Sequence, residues 1–461
     1  MLQSVNNILL YKTILSLSCL IILLSFSFNQ SLIPSQRAYY KFYHWDELTK
    51  GTFIYPKVGP VLSTDEPSFH LLSFYSFKSD SNKIFNADIF PEFNLSNEGN
   101  SKIRIFGSVQ VNLLKDLSIQ NEYELDSKGS DDSNFRGTKR ITAGSWVGYL
   151  QQSSLTWSYN SGYLSLGRGN PFYLSVNESV FLNAAIPPME YGYWYHKRKD
   201  FQFNWGLMLS KSGEEKKFIT FHRYGIHKPH WNIGFTEAVI GVYNSWSSDE
   251  IGYILPAAVL LETEENRGIN ANLVWVIDGK IKRNDWIGYF ELLVDDFALD
   301  GGSPPQLGGL LGISRKVGKV LTNIEYTRIN RWTGNHCNSA TIWVDNEVPI
   351  GHSIGSDAHQ INWQSIYFFK KDFSIEISLN YVEHGNGDPI SRLNEWPEEI
   401  KCDENFGYSS EPTFPSNSIN SADGKLIFYY LIRNWILTET KVLVDKKMPP
   451  TYMAIFQFRL N

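Results

Sequence analysis

Ser353 lies in the pentapeptide Gly351–Gly355, which has the G-x-S-x-G spacing of the nucleophile elbow of esterases. In that elbow a buried strand leads into the serine and a helix leads out of it, within an α/β sheet. Here the residues after the pentapeptide lead into an alternating, strand-like segment. The alternative is a tight turn whose glycines supply positive φ angles. We favour the turn, and therefore predict no catalytic serine and no enzyme.

Three histidines, His222, His227 and His230, are close together in the sequence and raise the question of a metal site. A zinc site needs ligands that converge in space with a fixed second shell. The segment His227–His230 contains Lys-Pro between its histidines, which is typical of a turn. We therefore predict neither a bound metal nor another cofactor.

The elements that would position these residues are strands, because apolar and polar residues alternate along the chain. The first clear run places apolar side chains at Ile103, Ile105, Val109, Val111 and Leu113. Successive side chains of a strand point to opposite faces, so one face here is apolar and the other polar. A chain built mainly from such segments behind an export signal is typical of an outer-membrane β-barrel.

Hairpins with short charged tips recur along the chain, while the opposite connections are long. The short tips are Lys197–Asp200, Asp278–Asp285, Lys316–Lys319 and Lys370–Asp372, and the long connections are Asp296–Pro305, Arg331–Asp357 and His384–Gly424. Outer-membrane barrels have short periplasmic turns and long outer loops. The pattern predicts an antiparallel transmembrane barrel with few short helices.

Composition agrees with one large membrane domain. The chain has 461 residues without a linker, and 15% of them are aromatic, which suits the interfacial belts of a barrel. A large β-sandwich or an extracellular sugar binder could be equally aromatic. The net charge is -6, with acids and bases evenly spread, so the basic patch of a nucleic-acid-binding protein is missing.

The N-terminus carries Lys12, an apolar stretch from Thr13 to Phe28, and Ser25-Phe26-Ser27 as a small-x-small cleavage site. These features predict a secretory signal peptide over residues 1–28, followed by the barrel over 29–461. The alternative is a single N-terminal membrane anchor. Export followed by strands predicts the outer membrane of a Gram-negative-type bacterium.

Three segments fit the alternation less well. Ile254–Leu261 is a plain apolar run containing Pro256, and Ser391–Ile400 could hold a short helix. Leu426–Val444 is either one long strand or two strands that turn at Arg433-Asn434. Because its length exceeds that of an ordinary strand, we favour two. The loops Arg331–Asp357 and His384–Gly424 then emerge at the same end of the barrel.

Cys337 and Cys402 are the two cysteines that remain after the predicted leader, and they fall in those two neighbouring loops. Exported cysteines can pair, so we expect a disulfide; two free thiols are the alternative. In the chain-entropy model such a bridge stabilises by roughly 4 kcal/mol, less any strain.

Several clusters, in their order and spacing, resemble the Wzi-type outer-membrane capsule assembly proteins. They are Gly167–Gly169, Phe221–Arg223, Asn232–Glu237, Tyr289–Phe297, Gly351–Ala358 and Tyr381–Gly387. The similarity covers residues 160–390, and outside that region only the strand pattern agrees. The resemblance implies a barrel of about 18 strands and a lectin-like protein that retains capsular or other surface polysaccharide.

Two other functions share this expected fold or location. An outer-membrane porin or specific solute channel would use the same barrel with an open lumen, whereas a filled lumen favours the polysaccharide binder. An outer-membrane hydrolase would need Ser353 or a pair of carboxylates with perturbed pKa values, and we find no strong pair. We expect outer-membrane lipid as the surroundings and a monomer.

A set of charged and polar residues interrupts the apolar strand positions. Charges on a barrel strand normally face the lumen, because the lipid face penalises them by roughly 2–4 kcal/mol at mid-depth. We therefore predict a lumen network made of His222, Arg223, Glu237, Glu291, Asp295 and Asp296. Under the resemblance, His352 and Asp357 join it where their loop re-enters the barrel. The network is either structural or binds sugar hydroxyls and uronates, for which the Arg223 fork is suited.

Tryptophans in the expected loops are candidate sugar contacts, because an aromatic face stacks on a sugar ring. These are Trp246, Trp332 and Trp343. The alternative is that they are aromatic residues of the membrane interface.

Overall fold

The computed structural model describes most of the predicted barrel. It covers residues 85–96, 102–114, 116–129, 140–143, 146–169, 179–182, 186, 188–212, 215–243, 248–256, 260, 271–296, 306–335, 341–345, 348–370, 373–385, 419–432, 436–445 and 448–458. The strands of the first half are β1 Phe85–Ser96, β2 Lys102–Leu114, β3 Leu117–Asp126, β4 Arg140–Ala143, β5 Trp146–Tyr159, β6 Gly162–Gly169, β7 Met189–Arg198, β8 Phe201–Ser212, β9 Glu215–Lys228 and β10 Trp231–Val242.

The second half begins with one short helix. After helix α1, Ser248–Ile254, come β11 Ala271–Arg283, β12 Trp286–Asp296, β13 Gln306–Val317, β14 Val320–Ile329, β15 Val344–Asp345, β16 Val348–Pro349, β17 Ala358–Lys370, β18 Phe373–His384, β19 Ile419–Ile432, β20 Ile436–Asp445 and β21 Met448–Phe458. Among the described residues, none of the helices has the length and apolar character needed to cross a bilayer.

The strands form a ring of antiparallel pairs. β4 pairs with β5 beside the ring, and β15 pairs with β16 in a separate small sheet. The other 18 described strands form the ring, and each pairs with the next of them along the chain. β1 also pairs with β21, from Glu92 opposite Gln457 to Ser96 opposite Met453, and this pairing joins the first strand to the last. The predicted antiparallel barrel is confirmed.

Short turns lie at one rim of the ring, and most of the long connections lie at the other. The hairpins β7–β8, β9–β10, β11–β12 and β13–β14 each turn within two residues. Residues 426–444 form two strands, as predicted, because β19 pairs with β20 over Asp423–Ile432. Ile329, Ala358, His384 and Ile419 lie side by side in register, so the loops that follow β14 and β18 leave from the same rim.

The end predicted for the second of these loops is wrong, because β19 begins at Ile419 and not after Gly424. Its first residues, Asn420 to Asp423, pair with β18 although they show no apolar alternation. These side chains are half-buried or exposed at the long-loop rim. Where a strand extends beyond the apolar layer into water, neither face needs to be apolar.

The outer face of the wall is apolar and bounded by aromatic side chains. Exposed apolar residues around its middle include Ile233, Phe235, Ile277, Leu292, Leu311, Ile313, Ile324, Ile361 and Leu379. Aromatic residues exposed near the short-turn rim are Phe201, Trp231, Trp286, Tyr367, Phe369 and Tyr430. An outward apolar band with an aromatic girdle is the surface that a barrel presents to a bilayer.

Two loop segments fold inward and occupy part of the interior. Together they are called the inner plug: residues 179–182, which precede β7, and residues 341–345 with 348–350, which lie between β14 and β17. Val180, Phe181, Leu182, Trp343 and Ile350 are buried in one apolar cluster. The same cluster contains inward-facing side chains of the wall, including Tyr193, Phe221, Ile240, Val276, Ile287, Leu310 and Phe368.

A third segment covers part of the outer face. Helix α1 and the residues up to Leu260 follow β10, and we call residues 248–256 with Leu260 the outer cover. Tyr253 and Leu260 are fully buried against Phe218, Val239 and Ala271 of the wall. The described residues of the apolar run Ile254–Leu261, which did not fit the strand pattern, belong to this cover.

Candidate functional site

Glu291 anchors the first segment of the inner plug. It lies in the middle of β12 and faces inward, with 2% of its surface exposed. One carboxylate oxygen, Oε2, accepts hydrogen bonds from the Ser179 hydroxyl at 2.8 Å and from the Val180 backbone N–H at 2.9 Å. The plug therefore reaches halfway down the barrel, where its backbone is bound by a carboxyl group of the wall.

The second plug segment is bound at the long-loop end. The Ser210 hydroxyl donates a hydrogen bond to Asp345, and the Lys217 ammonium donates one to the Val344 carbonyl at 3.3 Å. The two segments meet where the rings of Phe181 and Trp343 pack edge to face, with centroids 5.7 Å apart. Because both segments contact the wall and each other, they form one packed unit inside the barrel.

Next to the plug, Arg223 forms a buried ion pair with Asp278. Its Nε and Nη2 donate to the two carboxylate oxygens at 2.8 and 2.7 Å, a bidentate arrangement. The exposed fractions are 2% for Arg223 and 3% for Asp278. A Cβ added at Gly234 would lie 2.3 Å from Nη2, so this glycine leaves the space that the guanidinium occupies.

Two further carboxylates of the interior bind tyrosines. The Tyr289 hydroxyl donates to Glu325 at 2.8 Å, and the Tyr429 hydroxyl donates to Glu376 at 2.6 Å. Gln364 donates a second hydrogen bond to Glu376, at 2.8 Å. Buried charges need such partners, because an unpaired polar group in a dry interior is destabilising.

His222 and Glu237 face outward, and their predicted place in the lumen network is wrong. They are opposite one another in the β9–β10 register. Glu237 shares its face with the exposed Ile233 and Phe235, whereas the inward Arg223 is the next residue after His222. Both His222 and Glu237 are nevertheless buried, because the outer cover lies over them. The Leu260 N–H donates to Glu237 Oε2 at 2.9 Å.

The remaining members of the predicted network gather around the loop that follows β14. Asp295 accepts a hydrogen bond from the Gly334 N–H at 2.6 Å, and the His352 ring lies 3.4 Å from the Thr327 hydroxyl. Asp357, with a positive φ of 58°, lies 3.9 Å from Arg331. Asp296 is the last residue of β12. These groups shape the rim and are separate from the Arg223 pair at mid-depth.

The residues first considered for catalysis and metal binding lie in three different surroundings. Ser353 is exposed in a turn in which the Gly355 N–H donates to the His352 carbonyl at 3.0 Å, and β17 follows without a helix. His222 faces outward, His227 faces inward, and His230 lies in the β9–β10 turn. Within the described residues, no group of three or more potential ligands could hold a metal ion.

The candidate tryptophans occupy different environments. Trp343 is 7% exposed and belongs to the inner plug. Trp332 is half-buried in the turn after β14, where the Arg331 guanidinium lies 5.7 Å from its ring centroid. Trp246, Cys337 and Cys402 lie outside the described residues, as do the predicted signal peptide and the segment Ser391–Ile400.

A cavity of about 40 Å³ separates the plug from the wall, lined by Val180, Thr333, Trp343 and His352 among others. One buried water needs at least about 10–15 Å³ of such space. The cavity can therefore hold a few water molecules but not a sugar ring. In this arrangement a large ligand would contact the rim above the plug.

Sequence reasoning did not identify the partners of the charged residues. Asp278 falls in a segment predicted as a hairpin tip, but it is the eighth residue of β11. Asp345 and Ser179 lie in loops that gave no sign of folding inward. The signal for Asp278 was present, since the alternation Val274, Val276, Asp278 continues one face of the strand.

Comparison with solved structures identifies barrels of the same kind. One is Wzi of Escherichia coli, described as an outer-membrane protein involved in group 1 capsule assembly and a carbohydrate-binding β-barrel. It is 10% identical with a TM-score of 0.59, over 93% of this chain and 98% of Wzi. OprD of Pseudomonas aeruginosa is 9% identical with a TM-score of 0.47, over 82% and 94%. OmpT of Vibrio cholerae, as a loop deletion mutant, is 8% identical with a TM-score of 0.36, over 82% and 100%.

No family model matches the chain, and no curated protein sequence matches it. At these identities the structural likeness concerns the fold. The fold and the apolar outer band point to the same kind of protein, because both are features of barrels that span the outer membrane. The chain is an outer-membrane β-barrel protein.

Proposed function

We propose that this barrel binds surface polysaccharide at its long-loop rim and retains it at the cell, as a relative of the Wzi-type proteins. The observation that carries the proposal is the inner plug inside the barrel. The inner plug reaches Glu291 at mid-depth, and the wall carboxylates and the Arg223 pair around it are almost inaccessible to water. A porin requires a continuous aqueous path through this region.

The fold comparison supports the same function. Wzi is described as a carbohydrate-binding barrel involved in capsule assembly, and its likeness covers nearly the whole of both chains. The six sequence clusters that resemble Wzi-type proteins include Glu291 and the turn around Ser353. In the structure, these two positions contribute to the plug anchor and to the rim.

At the rim, we assign Trp332 as a sugar contact. Its ring is half-buried and pairs with Arg331, so an aromatic face and a cation lie side by side where a glycan would approach. Arg223 is less suited to this role than the sequence suggested, because its fork already binds Asp278. Trp343 would support the plug beneath the ligand.

The test is glycan retention in a strain that lacks the protein, measured as cell-bound against released polysaccharide. We expect more released material with unchanged total synthesis, and rescue by the wild-type chain but not by Trp332→Ala. Trp286→Ala is the matched control, because Trp286 also stacks with an arginine, Arg315 at 4.5 Å, but at the short-turn rim. Unchanged retention in the deletion strain, together with stable conductance of the purified protein in planar bilayers, would identify a channel instead.

A further inference from the structure

The outer cover lies on the wall where other parts of the barrel would meet lipid. Phe218 and Val239, which it buries, are on the outward faces of β9 and β10. A Cβ added at Gly241 would lie 2.5 Å from the Phe218 ring, so the ring lies flat along the outer wall. The cover therefore packs on the outside of the barrel and extends from the long-loop rim toward mid-depth.

The described side chains on the side of the cover that faces away from the wall are apolar. Ile251 and Leu255, four residues apart, are 46% and 53% exposed. Beyond the edge of the cover, Ile233 and Phe235 of the bare wall are each 42% exposed. The exposed side of the cover is thus continuous with the apolar band of the barrel, and the chemistry that matches both is that of acyl chains.

A short helix and the non-helical chain after it expose backbone N–H and C=O groups. In lipid, these groups must form hydrogen bonds with other parts of the protein. Helix α1 has seven residues, so most of its backbone N–H and C=O groups are at its ends and have no hydrogen-bond partner within the helix. The wall contributes Glu237, whose Oε2 accepts the Leu260 N–H at 2.9 Å. A carboxylate in the middle of a strand on the lipid side is destabilising when it has no partner. The hydrogen bond from the Leu260 N–H gives Glu237 a partner and attaches the cover to the wall.

We propose that the outer cover is embedded in the outer leaflet, where Ile251 and Leu255 contact lipid acyl chains and Glu237 fixes the cover to the wall. The inference is independent of polysaccharide binding. It describes the lipid-facing surface of the barrel and not its rim.

The location is tested with a spin label at Leu255→Cys in a background where Cys19, Cys337 and Cys402 are serine. The protein is reconstituted in phosphatidylcholine vesicles, and collision of the label with oxygen is compared with collision with a water-soluble nickel complex. Phe235→Cys serves as the lipid-exposed control and Lys199→Cys, at an exposed turn, as the water-exposed one. We expect position 255 to match 235. A match to 199 would place the cover in water, and shielding from both reagents would indicate a second protein copy; either result overturns the proposal.

The role of Glu237 is tested with the label kept at position 255. Glu237→Leu removes the acceptor, and we expect the label to become several-fold more accessible to nickel and more mobile. Glu237→Gln keeps an acceptor oxygen and should change little. If Glu237→Leu does not fold, as judged by the heat-dependent shift in gel mobility, Leu260→Pro removes the donor N–H from the other side. A label that stays immobile and lipid-exposed in the folded variants would refute the role of Glu237.

Discussion

Arg223 and His222 are consecutive residues of β9, yet they belong to opposite surfaces of the barrel. Arg223 points inward and forms two hydrogen bonds with Asp278. His222 points outward, is fully buried, and stacks against Phe203 with centroids 6.3 Å apart. The inner position is buried by the protein interior, whereas the outer one is buried only because the outer cover lies over it.

The comparison shows that burial alone does not tell which surface a polar residue serves. The inward charge is satisfied by a partner in a neighbouring strand. On the outer side, neither ring nitrogen of His222 has a partner within hydrogen-bond geometry among the described residues, and the groups near the ring are the Glu237 carboxyl and the Leu255 backbone. We therefore expect changes on the two sides to differ in size and in sign.

The largest effect is expected for Asp278→Ala. It leaves the Arg223 guanidinium buried without its carboxylate, and breaking a buried pair in this way costs about 3–5 kcal/mol. The measurement is the unfolding midpoint in urea of the refolded barrel, followed by tryptophan fluorescence. The double variant Arg223→Met/Asp278→Leu should recover much of the loss. A single variant within about 1 kcal/mol of wild type would show that the pair is not buried as described.

Gly234→Ala should have the next largest effect. Its Cβ would lie 2.3 to 2.6 Å from three atoms of the Arg223 guanidinium, so the side chain must move away from Asp278. Overpacking of this kind costs about 1–3 kcal/mol. Gly225→Ala is the control, because its Cβ would approach the Nη1 atom of the same group at 2.9 Å and meet less of it. Equal or reversed losses in the urea midpoints of the two variants would contradict this geometry.

On the outer side, His222→Phe should leave stability within about 1 kcal/mol of wild type, or raise it, because it removes buried polar atoms that lack partners. The ring stack with Phe203 is retained in this variant. The same urea titration measures the change. A loss of several kcal/mol would mean that the imidazole has an essential partner, and the contrast with Arg223 would disappear.

The smallest effect is expected at an ion pair on the short-turn rim. Lys228 donates a hydrogen bond to Asp200, and this bond lowers the pKa of the exposed carboxyl. Because the folded pKa is below the unfolded value, near 3.9, the contribution is complete above that value and is lost as the pH falls through the folded pKa. Asp200→Asn should therefore be slightly less stable than wild type at pH 6 and equal to it at pH 2. A difference that persists at pH 2 would point to a cause other than charge.

The strands of the barrel were predictable from sequence, because each strand has one face toward lipid and the other toward the barrel interior. That environment imposes alternation, as in Trp231, Ile233 and Phe235, and charged turns such as Lys197–Asp200 mark the hairpins. The start of β19 was not predictable, since its first residues lie beyond the apolar layer and show no apolar alternation.

The candidate site was only partly predictable. Arg223 and Glu291 do face inward, as the rule that charges face the lumen predicts, but the rule conflicted with the local alternation at Glu237. Glu237 is two residues after Phe235 and four after Ile233, which both face outward. The alternation of the strand therefore already predicted that Glu237 faces the lipid side. The inner plug could not be foreseen, because a loop that folds inward has no periodic pattern, and its contacts join residues more than a hundred positions apart in the chain.

The pairing of β1 with β21 also has a consequence for assembly. The other seams of the ring join strands that follow closely in the chain, so they can form as successive hairpins during insertion. The seam from Glu92 to Ser96 joins opposite ends of the sequence and spans five residue pairs. It cannot form until the last strand has been synthesised and delivered, and until then both edges expose unpaired backbone groups. Whatever inserts this barrel must shield the two open edges while the sheet curls, until the final seam closes them.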